Sequence, residues 1–261
     1  MPILSYLKDL EKDIRADENE RSSINTSIDT LKLRLNNYFG SDISKIFVFG
    51  SYDRNTNLCR KADESSDVDI MIVFNDTEYK PQTYINWLKK FLDLKYPTST
   101  AHQSNPCAIL ELSHIRFELT PAIKLYSFDD TSYKIPDKQS SYLDWITTKP
   151  FEIDEISQNK KEIRYKQVIR LVKYWNCLND KYFASYELEK KVYNSGIFVH
   201  IEDLKQNLFQ VLKSFSEYEG PLYVRNYITK TKDVIRYVEN NEKEMPYTSL
   251  SKLKNIFKEL K

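Results

Sequence analysis

Strand-like apolar runs occur in this 261-residue chain only as far as Pro121, and that limit narrows the architectures open to it. Before Pro121, two short apolar runs, IFVFG at 46–50 and DVDIMIVF at 67–74, are rich in β-branched and aromatic residues. They are too short for buried helices and read as strands. CAILEL at 107–112 and HIRFELT at 114–120 read as a further strand pair. After Pro121 a connection runs to about residue 158, and beyond it the apolar residues fall at helical spacing. Ile163, Val168, Ile169, Val172 and Trp175 mark one helix, Leu188, Val192 and Phe198 a second, and Leu204, Leu208, Val211, Leu212 and Phe215 a third. Gly220-Pro221 punctuates the run before two last helices, over about 227–240 and 247–260. Ahead of the first strand, Ile3, Leu7, Leu10 and Ile14, then Ile24, Ile28, Leu31 and Leu35, predict two helices ending near Gly40, and residues 82–95 predict another. Strands segregated from helices in this way make an α+β chain, a small mixed β-sheet core flanked by helices and followed by a helical lobe. The expected division is 1–158 for the core with its N-terminal helices and 159–261 for the helical lobe.

Composition removes several functional classes. Only four glycines occur, Gly40, Gly50, Gly196 and Gly220, so neither a GxGxxG fingerprint nor a GxxxxGK[ST] phosphate loop can be written. Any phosphate chemistry needs other means. Thirty-nine basic residues against 38 acidic ones leave a net charge of +1, which does not indicate bulk binding of nucleic acid. Cys59, Cys107 and Cys177 form no CxxC pair, and His102, His114 and His200 share no metal-ligand spacing. No apolar run reaches the ~18 residues of a membrane span, and the N-terminus turns acidic where a signal peptide needs a small-residue cleavage site. The expectation is a cytoplasmic protein with no membrane partner.

The informative segment is 46–74. Asp67 and Asp69 are two apart in a strand and project from one face, while Val68, Ile70 and Ile72 project from the other. Like charges so close need a cation or a shared proton to compensate them. Hard oxygen donors favour Mg²⁺ or Mn²⁺, and two such ions ~3.5–4 Å apart stabilise the attacking and leaving oxygens of a phosphoryl displacement. A third carboxylate is then wanted. Glu118 of FELTPA is the first candidate, on the expectation that hairpin pairing sets its strand beside 67–74, and Glu111 is its competitor. Upstream, Gly50-Ser51 closes an apolar strand and opens a helical turn. There glycine lets a phosphate approach the backbone, and the serine hydroxyl and free N–H groups can hold a triphosphate.

Taken together, FVFGSYDRNT and SDVDIMIVF resemble the hG[GS] to Dh[DE]h signature of the polymerase-β-like nucleotidyltransferases. The GSYxRxT form, the long gap and the DVDIMIV strand are more closely similar to the bacterial relatives of cyclic GMP-AMP synthase and oligoadenylate synthase, the CD-NTase-like enzymes. FELTPA, YKIPD with WITTKP, and IRLVKYWN followed by SYELE resemble further motifs of that group, so the likeness spans about residues 20–200. It implies a template-independent nucleotidyltransferase with its active site in the cleft between the sheet core and the helical lobe. Asp67, Asp69 and Glu118 become the catalytic carboxylates and the ligands of two Mg²⁺ or Mn²⁺ ions, with Glu118 also placed to activate the attacking hydroxyl. Gly50 and Ser51 hold the donor triphosphate, Lys173 and Ser185 contact it from the helical lobe, and Tyr186 stacks on the donor base. The group's third ligand is usually Asp, and Glu118 is one methylene longer.

The substrates implied are NTPs or dNTPs, and the product is a cyclic or linear oligonucleotide read by a separate effector, as in bacterial anti-phage defence. Transfer to a tRNA end, a protein hydroxyl or a small molecule is the enzymatic alternative, and a non-catalytic nucleotide-binding module the other. Local charge agrees with the enzymatic reading. Residues 53–78 carry seven acids and three bases, whereas 160–191 carry nine bases and four acids. Ser185 also reads as a helix N-cap, and Lys173 as the solvated side of a helix whose core face is Ile169, Val172 and Trp175.

Overall fold

The computed structural model describes residues 2–104, 106–125, 132–137, 139–140, 144–153, 163–195 and 203–260. Gly196, Phe198 and His200 lie outside these residues. Two compact units are present, and each is interrupted in sequence. One comprises Asp17–Asn55 and Ser65–Glu155; the other comprises Met1–Ala16, Thr56–Glu64 and Ile156–Lys261.

The first unit is built on a seven-stranded mixed sheet. Its strands are β1 (Ile43–Phe49), β2 (Asp67–Phe74), β3 (Thr100–Ser104), β4 (Cys107–Glu111), β5 (Arg116–Lys124), β6 (Tyr133–Pro136) and β7 (Trp145–Thr148). The main order is β1-β2-β5-β4-β3, with β6 joining β5 and β7 joining β6. The expected strand pair at 107–120 is the antiparallel β4–β5 hairpin. Three strands are additional: β3, β6 and β7 are short or polar and lack the apolar alternation that marks β2.

One sheet face is covered by two amphipathic helices. Helix α2 (Glu18–Phe39) starts at Asp17, whose side chain accepts the Glu20 N–H, and turns Ile24, Ile28, Leu31 and Leu35 inward. Helix α4 (Pro81–Lys95) begins with proline at its first position and buries Tyr84, Leu88, Phe91 and Leu92. These side chains pack with Val68, Ile70, Ile72 and Phe74 of β2 and Phe117 and Leu119 of β5. Apolar alternation thus fixes which way β2 and β5 face. Each reads intermediate-buried-intermediate-buried over its first four residues, and the intermediate positions include Asp67, Asp69, Arg116 and Glu118. All four side chains lie on the opposite face, where a smaller buried apolar cluster of Phe47, Met71, Val73, Ala122 and Tyr133 continues the row.

The second unit is helical: α1 (Pro2–Ile14), α5 (Ile163–Cys177), α6 (Ser185–Asn194), α7 (Leu204–Lys213), α8 (Leu222–Asn241) and α9 (Pro246–Lys254). Trp175 sits at its centre, fully buried, with its indole N–H donating to Thr231 Oγ1 at 2.9 Å. Helix α1 belongs here and not with the sheet. Glu11 pairs with Arg170 of α5 at 2.5 Å, and the Tyr6 hydroxyl donates to the Phe257 carbonyl at 2.5 Å. The segment after Asn55 also belongs here, with Thr56, Asn57, Leu58 and Cys59 all buried. This division therefore differs from a single boundary at 158/159, because 1–16 and 56–64 find their packing partners among the C-terminal helices.

Candidate active site

Parallel pairing of β2 with β5 sets the site. Asp69 stands opposite Glu118 and Asp67 opposite Arg116. The pairing is not a hairpin: α4, β3 and β4 intervene in sequence, and they supply the crossover of a dozen or more residues that parallel strands require. Glu111 lies one strand farther away, opposite Arg116 on β4. Of the two glutamates, Glu118 is therefore the one beside the aspartate pair.

The three carboxylates interact strongly. Burial pushes the Asp67 carboxyl up to about 8, and the charges of Asp69 and Glu118 push the same way, while Arg116 opposes them. A side-chain hydrogen bond with Glu118 pushes Asp67 in the same direction. Glu118 Oε1 also accepts from Arg116 Nη2 at 2.8 Å. Among the described residues no group of three or more His, Cys, Asp or Glu side chains is placed so that it could already hold a metal ion. The residues nonetheless suit a hard divalent cation. Their donors are all carboxylate oxygens on one face, and the repulsion from Asp69 and Glu118 that helps raise Asp67 is what a cation there would relieve.

Gly50 follows β1 and opens the single-turn helix α3 (Gly50–Asp53). Its φ is +76°, and a Cβ built there would lie 2.1 Å from Asp69 Oδ2. The neighbouring pair Phe49↔Asp69 explains this approach, since Asp69 projects directly beside the end of β1. Glycine is thus required at position 50 by the aspartate itself, in addition to any phosphate that comes near.

In the helical unit, Ser185 and Tyr186 begin α6 and are exposed. The N-cap is Ala184, which makes no side-chain cap bond, so Ser185 is the first helical residue and not the cap. Tyr186 is 44% exposed, and Lys190 Nζ lies 5.3 Å from its ring centroid. Lys173 is not on a solvated helix side: its side chain is 5% exposed and its Nζ donates to Glu189 Oε1 at 2.5 Å. Glu189 is fully buried and accepts the Thr56 hydroxyl as well, at 2.8 Å. With its ammonium bonded to a buried carboxylate, Lys173 would have to leave Glu189 to contact a triphosphate.

Residues 1–160 match the model of the Second Messenger Oligonucleotide or Dinucleotide Synthetase domain. The chain belongs to this family. It is accordingly a nucleotidyltransferase. Solved structures similar to this synthetase include Bradyrhizobium diazoefficiens CD-NTase CdnG in complex with GTP, with a TM-score of 0.74 at 10% identity over 99% of both chains. Escherichia coli MS115-1 CdnC, in a complex with HORMA-deltaN, gives 0.69 at 13% identity over 95% of this chain and 94% of that one. Vibrio cholerae DncV, a cyclic AMP-GMP synthase, gives 0.63 at 12% identity over 83% and 69%. At such identities the likeness speaks for the fold, a mixed sheet with helices. No curated protein matches the sequence. No helix among the described residues is long and apolar enough to cross a membrane.

Arg116 is the residue of this synthetase site that the motifs did not disclose. Its signal was the spacing in RFE, where residues 116 and 118 share a strand face. Gly50→Ala gives a direct test of the contact with Asp69. The added methyl displaces the carboxylate, and a displacement of this size is expected to lower the rate about 10²-fold. Pyrophosphate release at saturating nucleotide measures it. A wild-type rate would mean that the Asp69 carboxylate has no fixed position to lose.

Proposed function

We propose that this enzyme joins nucleoside triphosphates, as NTPs or dNTPs, into a cyclic or linear oligonucleotide signal without a template, releasing pyrophosphate. The observation that carries this reading is the parallel register that sets Asp69 against Glu118 with Asp67 on the same face, beside the Gly50 turn. Asp67, Asp69 and Glu118 would hold a pair of Mg²⁺ or Mn²⁺ ions, whose chemistry there would be to neutralise phosphate charge and polarise the phosphoryl group. Glu118 takes the proton of the acceptor's 3′- or 2′-hydroxyl as its oxygen bonds to the α-phosphorus and the bond to the β-phosphate oxygen breaks. Gly50 leaves room for the donor's phosphates against the backbone, and the Ser51 hydroxyl and N–H groups of the α3 turn donate to them. Ser185 contacts the triphosphate and Tyr186 stacks on the donor base.

Several relatives support this choice of substrate. CdnG was solved with GTP and CdnC with ATP, and DncV was solved with the linear intermediate pppA(3′,5′)pG. A product of that kind needs a separate protein to read it, which fits a role in bacterial anti-phage signalling. The test is incubation of the purified chain with each labelled NTP and dNTP, singly and in pairs, with Mg²⁺ or Mn²⁺ and no other acceptor. Mass spectrometry of the products then reads base, length and closure. Oligonucleotide and pyrophosphate are expected in equivalent amounts. Absence of any oligomer under every condition removes the signal-synthase reading, and transfer only onto an added tRNA, protein or small molecule replaces it.

A further inference from the structure

The Arg116 guanidinium shares the sheet face opposite α2 and α4 with four carboxylates. In register across the strands, one row reads Asp67 of β2, Arg116 of β5 and Glu111 of β4, and the adjacent row reads Asp69 of β2 and Glu118 of β5. Arg116 is therefore flanked by carboxylates on both neighbouring strands and by Glu118 two residues along its own. Its bonding is one-sided. Nη2 donates to Glu118 Oε1 at 2.8 Å, whereas the approach to Glu111 is Nε to Oε1 at 3.7 Å, too long for a hydrogen bond. Nε is buried and makes no hydrogen bond at all.

A buried N–H left unbonded beside an available acceptor marks an arrangement with a second state close by. At 3.7 Å, Glu111 Oε1 lies within about an ångström of hydrogen-bond distance from that Nε. The extra methylene of glutamate relative to aspartate bears on this. Residues 116 and 118 are about 6.7 Å apart along the strand, a span that the longer side chain helps to bridge.

We propose that Arg116 is the internal counter-ion of the carboxylate site, holding Glu118 while no divalent cation is bound and moving to Glu111 when a cation takes Glu118. Arg116 is thus a positioning residue, and Glu111 is its receiving partner. The inference rests on the reading of Asp67, Asp69 and Glu118 as cation ligands. Two consequences follow from charge alone. Arg116 repels the incoming cation and competes with it for Glu118, so its removal tightens cation binding. Loss of Glu111 leaves Arg116 nowhere to go and weakens it.

Mn²⁺ binding to the nucleotide-free protein, followed by loss of the free-ion electron paramagnetic resonance signal, tests both without reference to turnover. Arg116→Gln is expected to bind Mn²⁺ about tenfold more tightly than the wild type, the scale of one unit charge removed near a part-exposed site. Arg116→Lys keeps the charge and should stay within about threefold of wild type, and Glu111→Gln should bind several-fold more weakly, both changes following the same Coulomb scale. Circular dichroism establishes that each variant is folded, and the two milder variants keep the test open if Arg116→Gln is not. Unchanged or weaker binding in Arg116→Gln overturns the inference, as does unchanged binding in Glu111→Gln. Asp69→Asn serves as the separate control. If it binds Mn²⁺ as well as the wild type, the ligand assignment fails; if it does not, a null result at Arg116 counts against the counter-ion alone.

Discussion

Asp69→Asn will lower pyrophosphate release by at least about 10³-fold and leave the protein as stable as the wild type or more so. The loss follows from the several kcal/mol of charge stabilisation that a cation pair supplies in phosphoryl transfer, each ~1.4 kcal/mol being a factor of ten in rate. The retained stability follows from the packing. Asn has the shape of Asp, so the close approach of the residue 69 side chain to Gly50 survives. It also removes one of the two charges that, together with burial, push Asp67 up. In the wild type without cation, three carboxylates share a face with one guanidinium within bonding distance, and relief of that repulsion favours the folded state. Steady-state rates at saturating nucleotide, taken with thermal melts in chelator, separate the two effects. Full activity in a folded Asp69→Asn protein would remove the carboxylates from the chemistry. A large fall in melting temperature would show that Asp69 holds the sheet together.

How far this site is visible in the sequence depends on which physical signal carries each part. Strand β2 is legible because its apolar residues alternate with Asp67 and Asp69, and alternation dictates facing. The helical turn at Gly50-Ser51 is legible from the end of the apolar run. The parallel register is not, because nothing in DVDIMIVF states the direction of its neighbour. A hairpin was the simpler expectation, and β5 reaches β2 only after α4, β3 and β4 have been laid down. Helix α1 shows a further limit. The stripe of Ile3, Leu7, Leu10 and Ile14 announces an amphipathic helix without naming what it packs against, and its partners lie some 160 to 250 residues away at Arg170 and Phe257. Arg116 was hidden because an arginine beside acidic residues in a half-buried strand is unremarkable until the register brings Asp67, Glu111 and Glu118 around it. Lys173 was hidden in the opposite way. Its helix is plain from the spacing of Ile169, Val172 and Trp175, but its partner is on another helix, sixteen residues on.

That partner gives the largest stability effect expected in the helical unit. Glu189→Ala should destabilise the protein by about 3–5 kcal/mol, because the Lys173 ammonium is left charged, buried and unpaired. The Thr56 hydroxyl loses its acceptor in the same step. Urea unfolding followed by far-ultraviolet circular dichroism measures the cost. The companion variant Lys173→Met strands the Glu189 carboxylate and should cost a similar amount, while the double replacement by methionine at both positions should recover most of it, since an apolar pair of similar volume needs no compensation. The same cycle decides what Lys173 is for. A cost below about 1 kcal/mol, the scale of a solvated surface pair, means that Lys173 is solvated in solution and available to a triphosphate. A cost of several kcal/mol, recovered in the double variant, makes it a structural cation, and phosphate contact from the helical unit then falls to the exposed start of α6 at Ser185.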